Sequence, residues 1–366
     1  MAGATVTERI STVTLHLLKV PLAVPYKLSF GNLTAFDTLL VEVENKDGGY
    51  GVGEATYLAG YSDETPESGW QLARRLAQSL AGMDAEEAHS AIDSHIDDAA
   101  FTATALNTAI EMLEGSTALD VRAHTGVPIL GLLHASTPAE IERESSELFA
   151  QGYRTLKVKV GFDVLHDLEL VKDVQRAVHG RGTIRLDANQ GYSRDDACRF
   201  AQSLDPQDIE LFEQPCAAGD WEAAQAVARV ATVPMMLDES IYGLADIERA
   251  AELRAARYIK LKLMKLGGLS RLAHAIETIR ECGMEPVLGN GVACEVGCWM
   301  EACVARSHIT NAGEMNGFLK PAASLLQNPL VFSDGAVQLE PDFTPRLDAA
   351  ALARVRTMHE TFDKRR

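Results

Sequence analysis

The chain has 366 residues, 46% hydrophobic and 23% charged, a balance that excludes disorder at a length that calls for two cores or for one barrel carrying an added module. A formal charge of −18 argues against nucleic acid and anionic membranes as partners, because so acidic a surface repels phosphate. Residues 1–21 hold no continuous apolar stretch, and no window reaches the ~18 apolar residues of a membrane span, so a cytoplasmic location is expected.

Residues 11–54 alternate as strands do, in Thr12-Val13-Thr14-Leu15-His16-Leu17 and again in Thr38-Leu39-Leu40-Val41-Glu42-Val43, and the second run ends in a turn at Asn45-Lys46-Asp47-Gly48-Gly49. This predicts an antiparallel meander. Helical spacing takes over from Ser68 to about Gly126, so residues 1–127 read as an α+β module.

From Pro128 a short apolar run and a helical stretch rich in Ala, Arg and Glu alternate. The runs are Ile129–Leu132, Thr155–Val160, Thr183–Leu186, Ile209–Phe212, Pro234–Leu237, Tyr258–Leu261, Pro286–Leu288 and Ile309–Gly313. Eight such strands predict an α/β fold of the TIM type, a (β/α)8 barrel over residues 128–328, whose C-terminal strand ends carry the chemistry. The six cysteines form no Cys-x-x-Cys pair and read as small apolar side chains.

The strand ends read Lys157-Val158-Lys159, Asp187-Ala188-Asn189, Glu213-Gln214-Pro215, Asp238-Glu239-Ser240, Lys260-Leu261-Lys262, Gly289-Asn290-Gly291 and Glu314-Met315-Asn316. The steps from Lys159 to Asp187, Glu213, Asp238 and Lys262 are 28, 26, 25 and 24 residues, one βα unit each, so five side chains should converge on the barrel mouth. Any one of them alone could be a helix cap or a solvated turn. Five in register demand a shared purpose.

Asp187, Glu213 and Asp238 make a hard oxygen site suited to Mg²⁺, with Mn²⁺ an alternative, and no neighbouring His argues for zinc. A metal there would answer the charge that gathers on a carboxylate when its α-proton leaves. Lys159 and Lys262 flank the acids as candidate bases, and Lys157, on the same strand face as Lys159, is a neighbouring cation able to tune it.

These segments resemble the enolase superfamily and, within it, the muconate lactonizing enzyme subgroup. The matching stretches are Thr155–Gly161, Leu186–Gly191, Phe212–Pro215, Asp238–Ser240, Ile259–Gly268 and, in the first module, Gly51-Val52-Gly53-Glu54-Ala55. The resemblance implies a Lys base acting with Mg²⁺ on an enediolate. It also implies that residues 1–127 form a capping domain, that residues 329–366 return to complete it, and that the protein self-associates. Cap loops at 25–31 and 55–63 would choose the substrate, with Tyr57 and Tyr61 lining the pocket beside Asn189 and Glu314.

The end of the seventh strand has no His, which sets aside the mandelate racemase branch. Dipeptide epimerases carry Asp-x-Asp on strand eight to hold a substrate ammonium, where this chain has Glu314-Met315-Asn316. The reading expected from sequence is therefore a cycloisomerase acting on a small carboxylate. A racemase or epimerase of a dipeptide or N-acyl amino acid is the alternative, a dehydratase on the same scaffold a further one, and a non-enzymatic barrel is disfavoured by the intact acids and lysines.

Overall fold

The computed structural model describes residues 9–28 and 31–364. Strands β1 (Ile10–Leu28), β2 (Gly31–Asn45) and β3 (Tyr50–Tyr57) form the expected antiparallel meander. Alternation drives it: Val13, Leu15 and Leu17 of β1 are buried opposite Val43, Val41 and Leu39 of β2. Pairing of β1 with β2 is interrupted between Pro21 and Tyr26, and there the chain bonds elsewhere, Ala23 N donating to Lys320 O and Ala322 N to Pro21 O, both at 2.8 Å.

Helices α1 (Pro66–Leu80), α2 (Ala85–Asp93) and α3 (Ile96–Leu113) cover the sheet. Thr65 starts α1 with a reciprocal side-chain cap to Ser68, and Pro66 follows where its missing N–H costs nothing. Strand β3 lies on α3 because Gly51 and Gly53 carry no side chain. A Cβ on either would stand 2.0 or 2.1 Å from the Ala109 or Ala105 carbonyl oxygen.

After β4 (Thr125–Pro128) come seven parallel strands: β5 (Gly131–Leu133), β6 (Thr155–Lys159), β7 (Thr183–Asp187), β8 (Ile209–Glu213), β9 (Met235–Leu237), β10 (Tyr258–Leu261) and β11 (Glu285–Leu288). Helices α4 (Pro138–Ala150), α5 (Val164–Val178), α6 (Arg194–Ser203), α7 (Trp221–Val230), α8 (Leu244–Leu253), α9 (Leu263–Leu266), α10 (Leu269–Glu281) and α11 (Glu295–His308) alternate with them. Leu211, Met236 and Val287 form an interior layer. Below the mouth, Arg185 is fully buried and held by Glu210 through bonds of 2.9 and 3.0 Å.

The eighth strand expected at Ile309–Gly313 is replaced by a bend that closes the barrel through backbone bonds. Leu130 N donates to Gly313 O and Gly313 N to Pro128 O, both at 2.9 Å, and Glu314 N donates to Leu288 O at 3.0 Å. Asn311 explains the loss of ladder: its side-chain amide donates to Pro286 O at 3.0 Å, a place a strand N–H would otherwise fill.

Strands β12 (Val331–Ser333) and β13 (Ala336–Leu339) add to β4, and after α12 (Ala349–Val355) strand β14 (Arg356–Asp363) pairs antiparallel with β1. The cap is also fixed to the barrel by two carboxylates that satisfy helix N-termini. Glu54 accepts from the Cys294 and Val296 amides at the start of α11, and Glu111 accepts from Leu269 N at 2.6 Å and Ser270 N at 2.8 Å at the start of α10. No helix among the described residues is long and apolar enough to cross a membrane.

Candidate active site at the barrel mouth

Alternation along β6 and β10 turns every second residue inward, so Leu156, Val158 and Ile259 join the outer apolar layer while Lys157, Lys159, Lys260 and Lys262 face the interior. Asp187 ends β7, Glu213 ends β8 and Asp238 follows β9, each at most 1% exposed. The acids and lysines interleave. Lys157 Nζ lies 2.8 Å from Asp187 Oδ2, 2.8 Å from Glu213 Oε2 and 2.9 Å from Glu314 Oε2. Lys159 Nζ is 2.6 Å from Asp187 Oδ2 and also donates to Asn189 Oδ1.

On the other side, Lys260 Nζ donates to Glu213 Oε1 at 3.1 Å and to Glu314, and lies 3.6 Å from Asp238. Lys262 Nζ donates to Asp238 Oδ2 at 2.8 Å. Lys265 Nζ donates to the carbonyls of Asp238 and Ile241 at 3.0 and 3.1 Å. Burial opposes these charges, and the outcome depends on the partners: for Lys265 burial prevails and lowers the pKa to about 8. Around Lys157, burial works against the ammonium, but Asp187, Glu213 and Glu314 hold its pKa well above the lysine range. Burial likewise opposes the Asp187 carboxylate, and Lys157 and Lys159 outweigh it, bringing it down to about 2.

Glu239, next to Asp238, has less help: burial and then the charge of Asp238 push it up to about 7. Its Oε1 accepts from Asn189 Nδ2 at 2.9 Å and from the Tyr61 hydroxyl at 3.3 Å. The strand ends are set by unusual backbone. Asn189, Gln190 and Gln214 take φ of 41°, 67° and 35°, and the Gln214 side chain then bonds Asp238 N at 2.9 Å and Ser240 N at 3.2 Å.

Of the residues expected at the mouth from sequence, Lys157, Lys159, Asp187, Asn189, Glu213, Asp238, Lys262 and Glu314 stand together there. Tyr57 does not. Its hydroxyl pairs with Thr102 Oγ1 at 2.9 Å inside the cap, because Gly51, Gly53, Ala55 and Tyr57 share the β3 face that meets the cap helices, while Glu54 and Thr56 face the barrel. Tyr61 lines the mouth, its ring centroid 4.0 Å from Lys262 Nζ. From the loop expected at 25–31, Tyr26 reaches the mouth, and Ser29 and Phe30 lie outside the described residues.

Lys260 and Glu239, at the strand ends but with no role expected from sequence, and Lys265 and Lys320 also stand at this end of the barrel. A signal existed for Lys260, which precedes Lys262 by two residues as Lys157 precedes Lys159.

The donors fit a hard divalent cation. Three carboxylates stand on neighbouring strands, and Glu213 Oε2, though 2.8 Å from Lys157 Nζ, lies at an angle that makes no hydrogen bond, leaving a buried lone pair unused. As the side chains stand, no three His, Cys, Asp or Glu among the described residues surround a common point. The Lys157 and Lys260 ammonium groups lie between the acids, so a cation there requires those groups to draw back.

Residues 140–345 match the enolase C-terminal domain-like family and residues 10–133 the N-terminal domain of the mandelate racemase / muconate lactonizing enzyme family. N-succinyl-L-Arg/Lys racemase of Bacillus cereus is 27% identical over 82% of this chain and 82% of its own. Muconate cycloisomerase 1-2 of Acinetobacter lwoffii is 29% identical over 73% of each. Among solved structures, the dipeptide epimerase from Cytophaga hutchinsonii complexed with Mg and the dipeptide D-Ala-L-Val superimposes with a TM-score of 0.87 at 22% identity, covering 97% of this chain and 100% of that one.

Proposed function

We propose, for a chain that belongs to the enolase superfamily and within it to the muconate lactonizing enzyme subgroup, that this isomerase racemises or epimerises an amino-acid derivative at the carbon α to its carboxylate. The observation that carries the proposal is the placement of Lys159 and Lys262. They stand at the second and sixth of the barrel's eight positions, hence on opposite sides of the acids. Lys159 Nζ would take the proton from one face of the α-carbon while Lys262 Nζ returns one to the other, and the reverse direction exchanges their roles.

Asp187, Glu213 and Asp238 would hold Mg²⁺, which when bound supplies positive charge to the substrate carboxylate as its α-proton leaves. Lys157 and Lys260 balance the acids and position them. Tyr61 and Tyr26 cover the mouth from the cap and keep water from the exposed carbanion face.

The cycloisomerase expected from sequence has less support than its alternative: relatives at 27–28% identity are named as a racemase and epimerases of amino-acid derivatives and dipeptides, while a muconate cycloisomerase at 29% identity supports the other reading and solved muconate lactonizing enzymes share the fold. Glu314 narrows the choice further. Its Oε2 is shared by Lys157 and Lys260, and Asn316 is neutral, so strand-end position eight offers a substrate ammonium a single acid that two lysines already balance. An N-acylated amino acid fits better than a dipeptide with a free amino terminus.

Deuterium incorporation at the α-carbon, followed by NMR in D2O with Mg²⁺, tests this across N-acyl amino acids, dipeptides and cis,cis-muconate. Exchange with inversion of an N-acyl amino acid is expected. Lactone formation from muconate without any exchange into an amino-acid derivative would replace the reading with cycloisomerisation.

A further inference from the structure

Beside the mouth lies a second cavity of about 530 Å³, walled by Leu130, Leu132 and Tyr153 on the apolar side and by Tyr26, Asn316 and Lys320 where it meets the mouth. Tyr26 borders both spaces. The mouth itself is nearly closed, with about 30 Å³ free, too little for more than the reacting centre of a substrate.

Lys320 differs from every other lysine at this end of the barrel. Lys157, Lys159, Lys260, Lys262 and Lys265 each have a carboxylate within 4.0 Å, whereas among the described residues Lys320 has none. Its ammonium donates to Gly291 O at 2.8 Å and Asn316 Oδ1 at 2.9 Å, and lies 4.6 Å from the centre of the Tyr26 ring. All these partners are neutral. Gly291 lines the mouth and Asn316 lines the cavity, so the ammonium that bonds both stands between the two spaces, and the Ala23 N–H on the Lys320 carbonyl ties its backbone to the cap strand.

We propose that the cavity is a substrate subsite in which Lys320, steadied by Asn316 and Tyr26, binds a carboxylate at the far end of the substrate's acyl group. The inference rests on the reading that the mouth receives an N-acyl amino acid, and it narrows that class to acyl groups ending in an acid. The apolar wall takes the acyl methylenes. Burial lowers the Lys320 pKa to about 8, a cost that an anion at hydrogen-bond distance reverses.

Calorimetric titration in Mg²⁺ with an N-succinyl amino acid and its neutral succinamoyl amide, which differ only in the distal charge, tests the subsite apart from turnover. The parent should bind the acid at least about tenfold more tightly than the amide. Lys320→Met should lose that preference while binding the amide as before, and Lys320→Arg should keep it. Equal binding of the two compounds by the parent, or an undiminished preference in Lys320→Met, overturns the subsite. A retained preference with no α-proton exchange by the parent would support the subsite and overturn the racemase or epimerase reading.

Discussion

The Tyr61 ring stands 4.0 Å from Lys262 Nζ, so a residue of the cap lies directly over one of the two proposed bases of the barrel. Tyr242 holds it there, donating its hydroxyl to the Tyr61 carbonyl at 2.6 Å. Removing the ring exposes Lys262 and forfeits a cation–π contact of about 1 kcal/mol. Tyr61→Ala is expected to lower kcat/KM about tenfold, and Tyr61→Phe, which keeps the ring, much less. Steady-state kinetics on both variants decide, and equal losses would mean that the hydroxyl bond to Glu239 matters instead of the ring.

Two bases on opposite faces predict a division of labour. Lys159→Ala and Lys262→Ala should each slow inversion by ~10²–10⁴-fold. Each should still exchange the α-proton of one enantiomer with D2O, and the two variants should retain opposite enantiomers. If one variant exchanges both enantiomers at the parental rate, its lysine is not a base.

For the metal, thermal melts with and without Mg²⁺ give a readout independent of turnover. A saturating cation at a hundred times its dissociation constant stabilises the parent by about 2.7 kcal/mol. Asp187→Asn and Glu213→Gln should lose most of that gain, although both leave lysines short of a partner and start from a less stable protein. A variant stabilised as much as the parent would remove its acid from the metal site.

Glu54 predicts a pH dependence. Burial, aided by the charge of Glu295, raises its pKa to about 7 against the pull of the α11 amides. A carboxyl raised on folding contributes stability that is complete below its ordinary value near 4.5 and is lost as pH climbs through about 7. Urea titrations at pH 4.5 and pH 8 should show the parent losing on the order of 3 kcal/mol more than Glu54→Gln over that range. Parallel curves would mean that Glu54 stays ionised throughout.

The barrel and its mouth were legible because a βα unit has a nearly constant length, so acids and lysines at regular intervals had to converge. Tyr57 and the eighth strand were not legible, for different physical reasons. Tyr57 lies on the β3 face with Gly51 and Gly53, and that parity follows from which face meets α3, a packing fact absent from a list of aromatic loop residues. Ile309–Gly313 reads as apolar enough for a strand, yet Asn311 spends its side chain on a neighbouring carbonyl and the ladder stops. Lys320 gave no signal because the strand residues Ala23 and Tyr26 that hold it lie some 300 positions away.

The bend that stands in for an eighth strand joins β5 and β11 through a few backbone bonds, and the 530 Å³ cavity opens beside it. Asp187, Glu213 and Asp238 stand on the opposite arc, locked by a continuous parallel ladder. Substitutions around residues 309–320 therefore reshape the wall that selects a substrate while the arc that carries the acids keeps its ladder. In this molecule the part free to diverge and the part obliged to persist are different sectors of one barrel.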